Sequence, residues 1–203
     1  MKNTVLFCTG ESGSGKSTFI EKFLSGDNFY NLKSATTRPM RKDGKDKDKY
    51  YFHDESYFDD AKKFATLLWV NEQFWEPGKP KWLYGVPEFE IFDHMGANFT
   101  YDVIQPRYVR QMIDWFNIHK LDKQYDFRIL WFQPLKNSEH IVKSRQNMPN
   151  DTDVRKANTC DLNDFKDAKL IPDHVVISHP RKLVMDGRLR RFLNEIKQQQ
   201  LNK

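Results

Sequence analysis

Cysteine is nearly absent: among 203 residues only Cys8 and Cys160 carry a thiol. Two cysteines do not make the disulfide framework of a small secreted domain, so a reducing, cytoplasmic compartment is expected. Cys8 lies in an apolar run and reads as a small buried side chain. Long hydrophobic runs are missing too. None approaches the ~18 residues that a membrane span needs, and the N-terminus reads into a strand rather than a signal peptide, so no membrane partner is expected. There is no internal repeat, and His140 has no His or Cys at metal-ligand spacing. What is present is globular: 38% hydrophobic and 14% aromatic residues, in a length that suits one α/β domain.

Glycine is also scarce, with nine in the chain, yet three fall between residues 10 and 15. The stretch Gly10-Glu11-Ser12-Gly13-Ser14-Gly15-Lys16-Ser17-Thr18 follows Val5-Leu6-Phe7-Cys8 and precedes Phe19-Ile20-Glu21-Lys22-Phe23-Leu24. Strand, glycine loop and helix follow in that order, and G-x-x-x-x-G-K-[ST] is met by Gly10, Gly15, Lys16 and Ser17. Glycines let backbone N–H groups reach phosphate oxygens with no Cβ in the way. The helix that follows points its positive end at the same phosphates. Lys16 adds a mobile cation for the β- and γ-phosphates, and the Ser17 hydroxyl suits Mg²⁺. A turn that bound nothing would not need Lys-Ser after it. The ATP-binding set is therefore Gly10, Ser12, Gly13, Ser14, Gly15, Lys16, Ser17 and Thr18. The net charge of +5 is met by such a polyanionic ligand. No separate basic stripe calls for nucleic acid.

A second basic cluster follows. Ser34-Ala35-Thr36-Thr37-Arg38-Pro39-Met40-Arg41 is polar and β-favouring, and Tyr50-Tyr51-Phe52-His53 reads as a short strand. Two arginines and a tyrosine converging on one point would hold a second phosphate, since guanidinium forks pair with phosphate oxygens, but by themselves they read first as a surface charge cluster. Between them, residues 41–49 alternate Lys and Asp, which by itself is a solvated loop.

In combination these stretches resemble the guanylate kinase family, whose members carry a glycine loop of the GPSGAGKST kind and then S-x-T-T-R-x-x-R-…-Y-x-F. Here the second pattern is met by Ser34, Thr36, Thr37, Arg38, Arg41, Tyr50 and Phe52. The resemblance implies that Ser34, Arg38, Arg41 and Tyr50 bind the phosphate of an acceptor nucleotide. The family's acidic loop residue falls here on Gly44, a departure that the neighbouring Lys/Asp run could compensate.

Asp54 to Phe64 is expected as a helix with Phe58, Ala61 and Phe64 on one face, capped by Asp54 or Ser56. Residues 66–74 are β-rich. Trp69-Val70-Asn71-Glu72 resembles the family's F-[LI]-E-W, where a glutamate accepts from guanine N1 and N2. Glu72 is the residue chosen for that role, with Glu76 and Asn71 as alternatives. Pro77-Gly78-Lys79-Pro80 is a turn and looks like an insertion. Tyr84-Gly85-Val86 resembles Y-G-[ST]; Tyr84 would reach the acceptor phosphate, whereas Val86 cannot supply the family's hydroxyl. Residues 87–95 read as a helix begun by proline. Strand 98–104 carries Asp102, in the place of a Walker B carboxylate, assigned to Mg²⁺ and to the acceptor nucleotide. The family's two aspartates are one here.

An amphipathic helix over 107–119 should bury Val109, Met112, Ile113 and Phe116. Residues 127–132 form a central parallel strand, 138–145 a helix, 172–178 the last strand and 180–199 the closing helix. The family's arginine-bearing lid falls on 146–158, and the resemblance makes Arg145 and Arg155 catalytic alongside Lys16, by the logic of an arginine finger supplied in cis.

The implied fold is a three-layer α/β P-loop NTPase fold with a parallel sheet: a core over 1–33, 96–145 and 159–203, a nucleoside-monophosphate-binding region over 34–95 and the lid. The implied reaction moves the γ-phosphoryl group of Mg²⁺·ATP to a nucleoside monophosphate, GMP or dGMP first, in a monomer or homodimer. Two alternatives stay open. One is a P-loop kinase for another (deoxy)nucleotide or a sugar phosphate. The other is a non-catalytic binding module of the same fold, against which the intact glycine loop speaks.

Overall fold

The computed structural model describes residues 2–11, 14–24, 29–40, 44, 46–73, 81–103, 105–134, 160–179, 182–183 and 187–201. Ser12, Gly13, Arg41, Glu76, Arg145, Arg155 and the expected lid over 146–158 lie outside that set. The described residues fall into two compact units, one built from 2–31, 96–134 and 160–201, the other from 32–95.

The first unit is a six-stranded sheet. Its strands are β1 (Asn3–Gly10), β2 (Phe29–Asn31), β7 (Asn98–Val103), β8 (Tyr125–Pro134), β9 (His174–His179) and β10 (Lys182–Leu183), in the order β10-β9-β8-β1-β7-β2. All neighbours are parallel except the antiparallel edge pair β9–β10. β1 lies in the middle, and all but Asn3 of its residues are buried. Such strands, covered on both faces, read as continuous apolar runs.

Alternation along β1 sends Leu6 and Cys8 one way and Val5 and Phe7 the other. Leu6 and Cys8 pack with Phe19, Leu24, Leu130, Phe132, Leu189 and Leu193. The helical residues in that cluster come from α1 (Lys16–Phe19), its π-wound continuation Ile20–Leu24 and the closing helix α6 (Gly187–Leu201). On the other face Phe7 stacks on Phe127, and Phe127 meets Phe116 of α4 (Pro106–Ile118) with ring centroids 5.3 Å apart. Helices therefore cover both faces, giving three layers.

α4 buries Tyr108, Val109, Met112, Trp115 and Phe116. Ile113, expected inward, is only half-buried, because Trp115 and Phe116 already fill the stripe. The helix α5 (Leu162–Asp167) begins in a capping box, Asp161 with Asp164. Residues 182–183 return as an edge strand, so the closing helix starts at Gly187 and not at Pro180.

The second unit is a four-stranded sheet of β3 (Ser34–Thr36), β4 (Tyr50–Phe52), β5 (Leu67–Gln73) and β6 (Trp82–Pro87), in the order β4-β3-β6-β5. One face carries α2 (Glu55–Phe64), whose Phe58 packs on Ala35 and Leu83, with Tyr51, Leu67 and Val70 around them. Asp54 caps α2 by accepting from the Tyr57 N–H. Phe64 is 65% exposed rather than inward. At 100° per residue it has drifted about 120° round the helix from Phe58, past the apolar stripe. Pro87 ends β6, paired with Leu67, instead of opening a helix. Only the turn α3 (Phe89–Phe92) follows. Glu90 in that turn is fully buried and accepts from the Lys33 N–H at 2.7 Å and the Tyr51 hydroxyl at 2.6 Å, tying β4 to the start of the unit.

Among the described residues no helix is long and apolar enough to cross a membrane.

Candidate functional site

In the first unit the chemistry gathers at the carboxyl ends of β1 and β7. Open parallel sheets bind ligands at those ends. β1 ends in Gly10, whose φ of +137° suits glycine, and a Cβ there would lie 2.4 Å from the Phe132 carbonyl oxygen. The loop returns through a Ser14 N–H bond to the Glu11 carbonyl, and Gly15, at φ +96°, opens α1. Both ends of the motif thus require glycine, for close approach at Gly10 and for a left-handed turn at Gly15. Gly10→Ala is expected to destabilise the fold by about 3 kcal/mol, the sum of strain and overlap with backbone. A urea melt checks this, and a midpoint equal to wild type would count against it.

Lys16 is buried, and its ammonium donates to the carbonyls of Gly10 and Glu11, each at 2.8 Å. Its Nζ is 3.5 Å from Oδ1 of Asp102. The Ser17 hydroxyl donates to Oδ2 of the same carboxylate at 2.5 Å. Parallel pairing of Cys8 with Asp102 produces this meeting, since it brings the end of β7 level with the base of the loop. The Ser14 hydroxyl is buried without a hydrogen-bond partner among the described residues, a donor that a phosphate oxygen would satisfy.

Ser17 and Asp102 are hard oxygen donors, and they fit Mg²⁺, which keeps several waters and phosphate ligands and needs few protein groups. No group of three or more His, Cys, Asp or Glu residues able to hold a metal occurs among the described residues. Burial pushes the thiol of Cys8 well up and that of Cys160 to about 12, so neither is a nucleophile at neutral pH.

The second unit carries a separate polar face. In β3 the Thr36 hydroxyl donates to the Leu83 carbonyl at 2.9 Å and accepts from the Arg38 N–H at 3.0 Å. Thr37 Oγ1 accepts from the Leu83 N–H at 2.9 Å. The two threonines satisfy the backbone where the strand stops, and they set the chain direction into Arg38. Arg38 is 8% exposed and is ion-paired with Asp46, itself 2% exposed. Asp46 lies two residues beyond Gly44, inside the alternating Lys/Asp run. Gly44 turns the loop, with its carbonyl accepting from the Lys47 N–H.

Arg38 lies over the rings of Tyr50, at 5.1 Å, and Phe52, at 5.8 Å. Tyr50 meets Tyr84 edge to face at 6.3 Å. Burial, with Tyr50 beside it, pushes the Tyr84 phenol far up, so it remains a hydrogen-bond donor at any working pH. An open cavity of ≈ 390 Å³ beside the guanidinium is lined by Thr37, Arg38, Met40, Phe52, His53 and Asp54 among others.

Strand register sorts the remaining candidates. Ser34 pairs with Tyr50, Thr36 with Phe52 and with Tyr84, and Asn71 with Tyr84. Directly paired residues share a face, so Ser34, Thr36, Tyr50, Phe52, Asn71 and Tyr84 line one face together. Glu72 is not among them. It pairs with Leu83, on the face covered by α2, and is held by Lys62 at 3.3 Å and Lys81 at 3.2 Å. Those two ammonium groups, Lys81 first, keep its carboxyl below the usual range. Glu72, chosen from the sequence as base reader, therefore lies on the opposite face from Tyr50 and Tyr84, because a one-residue step in a strand reverses the face.

Sequence reading missed Asp46, hidden in a run that looks like solvated charge, and Glu90. It named Asn71 only as an alternative. Only the register across the hairpin, with Asn71 opposite Tyr84, singles it out.

No family model and no curated protein matches the sequence. Among solved structures the chain is similar to guanylate kinase from Anaplasma phagocytophilum, with a TM-score of 0.54, 18% identity, and 98% of this chain and 86% of that chain covered. A likeness at that identity shows the fold: mixed α/β, with a five-strand parallel sheet, of the guanylate kinase-like P-loop type.

Proposed function

We propose that the chain is a nucleotide kinase that moves the γ-phosphoryl group of ATP to a nucleoside monophosphate. The observation that carries this reading is the meeting of Lys16, Ser17 and Asp102 at the end of the parallel sheet. That trio matches what phosphoryl transfer asks of a donor site: a cation for the phosphates, and a hydroxyl and a carboxylate for a metal. Mg²⁺, when bound by Ser17 and Asp102, would neutralise charge on the β- and γ-oxygens.

The residues of the chain do the rest by position. Loop N–H groups and the Ser14 hydroxyl orient the phosphates. Lys16, already aimed at the loop mouth, shifts from carbonyl acceptors to phosphate oxygens. On the acceptor side, Arg38, Tyr50, Tyr84 and Ser34, joined by Arg41, would hold the monophosphate, with Asp46 keeping the guanidinium in place. Little covalent work is left to the protein, and orientation with charge neutralisation supplies the rate. Arg145 and Arg155 in the lid over 146–158 would add charge during transfer and exclude water.

GMP and dGMP are the acceptors that the resemblance implies. The placement of Glu72 and the apolar Val86 favour a broader or different base, within the same reaction. Titration calorimetry with Mg²⁺·ATP tests the donor half. A micromolar Kd that is lost in Ser17→Ala with EDTA-treated protein supports it. No binding of ATP would leave a non-catalytic module of the same fold.

A further inference from the structure

We infer that Asn71 is the specificity-determining residue of the acceptor site, and that it admits pyrimidine monophosphates alongside guanine. The inference rests on the phosphoryl transfer proposed above and concerns only which base the acceptor carries.

A monophosphate held by Arg38, Tyr50 and Tyr84 would lay its base along the strand face that Tyr50 and Tyr84 share. On that face Asn71 stands directly across the hairpin from Tyr84 and is 7% exposed. A buried amide is costly unless its donor and its acceptor are both used. None of the strand residues that register places on that face, Asn71, Gln73, Trp82 and Tyr84 among them, is a carboxylate. Among the described residues nearby, Asp46 is committed to Arg38 and Asp54 caps α2. Glu72 is turned to the opposite face and held by two lysines. Val86, two residues along β6 from Tyr84, is fully buried and offers no hydroxyl.

The chemistry of the amide then sets the base class. Guanine presents two adjacent donors at N1 and N2, which a carboxylate satisfies with two acceptors. An amide offers one acceptor and one donor group, so against that pair one donor meets another. A pyrimidine edge is different. Thymine sets its N3–H beside a carbonyl, and cytosine sets N3 beside its amine, as adenine sets N1 beside its own. Each gives an acceptor and a donor side by side, which the amide matches in one of its two orientations. Guanine itself can still use its O6 and N1–H, with the N2 amine left over. A site built this way loses the strong rejection that comes from leaving a buried polar group unpaired.

The test compares kcat/KM for dGMP, dTMP and dCMP with saturating Mg²⁺·ATP, in wild type and in Asn71→Asp. That substitution keeps the side-chain shape and replaces the amide by two acceptors. Wild type should use dTMP or dCMP within about tenfold of dGMP. The variant should move the ratio toward dGMP by about tenfold or more, one mispaired hydrogen bond's worth. Wild-type preference for dGMP above about a hundredfold would overturn the inference without any variant, and so would an unmoved ratio in a variant whose melting curve matches wild type. If the wild type accepts dGMP alone, transfer stands and this inference fails. If no monophosphate is phosphorylated, the reading beneath it fails as well.

Discussion

Replacement of Lys16 by alanine is expected to lower turnover at least about a thousandfold, the scale lost when one charge-stabilising group is removed from an electrostatic site, or about 4 kcal/mol of barrier. The ammonium is the only side-chain cation that the described residues place at both the loop carbonyls and Asp102. In the reaction it would follow the charge that builds on the transferred group. The fold should survive. Truncation removes two hydrogen bonds to the carbonyls of Gly10 and Glu11, and Asp102 retains the Ser17 hydroxyl. A cost of about 1–3 kcal/mol follows for bonds of this kind. Circular dichroism should show a cooperative melt, and ATP should bind more weakly. Turnover within tenfold of wild type would remove Lys16 from the chemistry.

Arg38→Ala should separate the two substrates. The acceptor KM is expected to rise about a hundredfold, the loss of a charge-assisted bidentate contact to a phosphate, while the ATP KM changes little. The same substitution leaves Asp46 buried and unpaired, and breaking such a pair costs about 3–5 kcal/mol. A fall in stability alone could therefore mimic a binding defect. The double variant Arg38→Ala, Asp46→Ala resolves this, because removing the orphaned carboxylate should recover most of the stability and none of the acceptor affinity. A double variant with near-normal acceptor KM would reduce Arg38 to a structural residue.

Much of this was legible in the chain. The glycine loop declares itself because each residue type has a separate physical reason to be there, and its strand and helix follow from period alone. Ser34 to Phe52 read by itself only as a polar, basic cluster, and the resemblance alone suggested a phosphate motif there. Faces were harder to read. Glu72 and Asn71 are adjacent, so composition treats them alike, and only the hairpin register, fixed by Asn71 opposite Tyr84, separates them. Asp46 was hidden for another reason: in a run of alternating Lys and Asp, a residue buried by one arginine looks like its solvated neighbours. The edge strand at Lys182–Leu183 and the short β2 are too brief for periodicity to register, and tertiary pairing with β9 and β7 creates them. Pro87 illustrates the same override, where pairing to Leu67 outweighs a proline's fitness to begin a helix.

The proposed reaction would couple the ATP and acceptor sites in one event, so the most direct measurement is acceptor-dependent conversion of ATP. Protein with Mg²⁺ and ATP is mixed with each of GMP, dGMP, AMP, UMP, CMP and dTMP, and the phosphorus spectrum is followed with time. A phosphotransferase gives ADP and the matching nucleoside diphosphate in equal amounts, and almost no ADP when the acceptor is left out. ADP and free phosphate at one rate with and without acceptor, or no conversion of bound ATP by any of the six, would contradict phosphoryl transfer to a nucleotide.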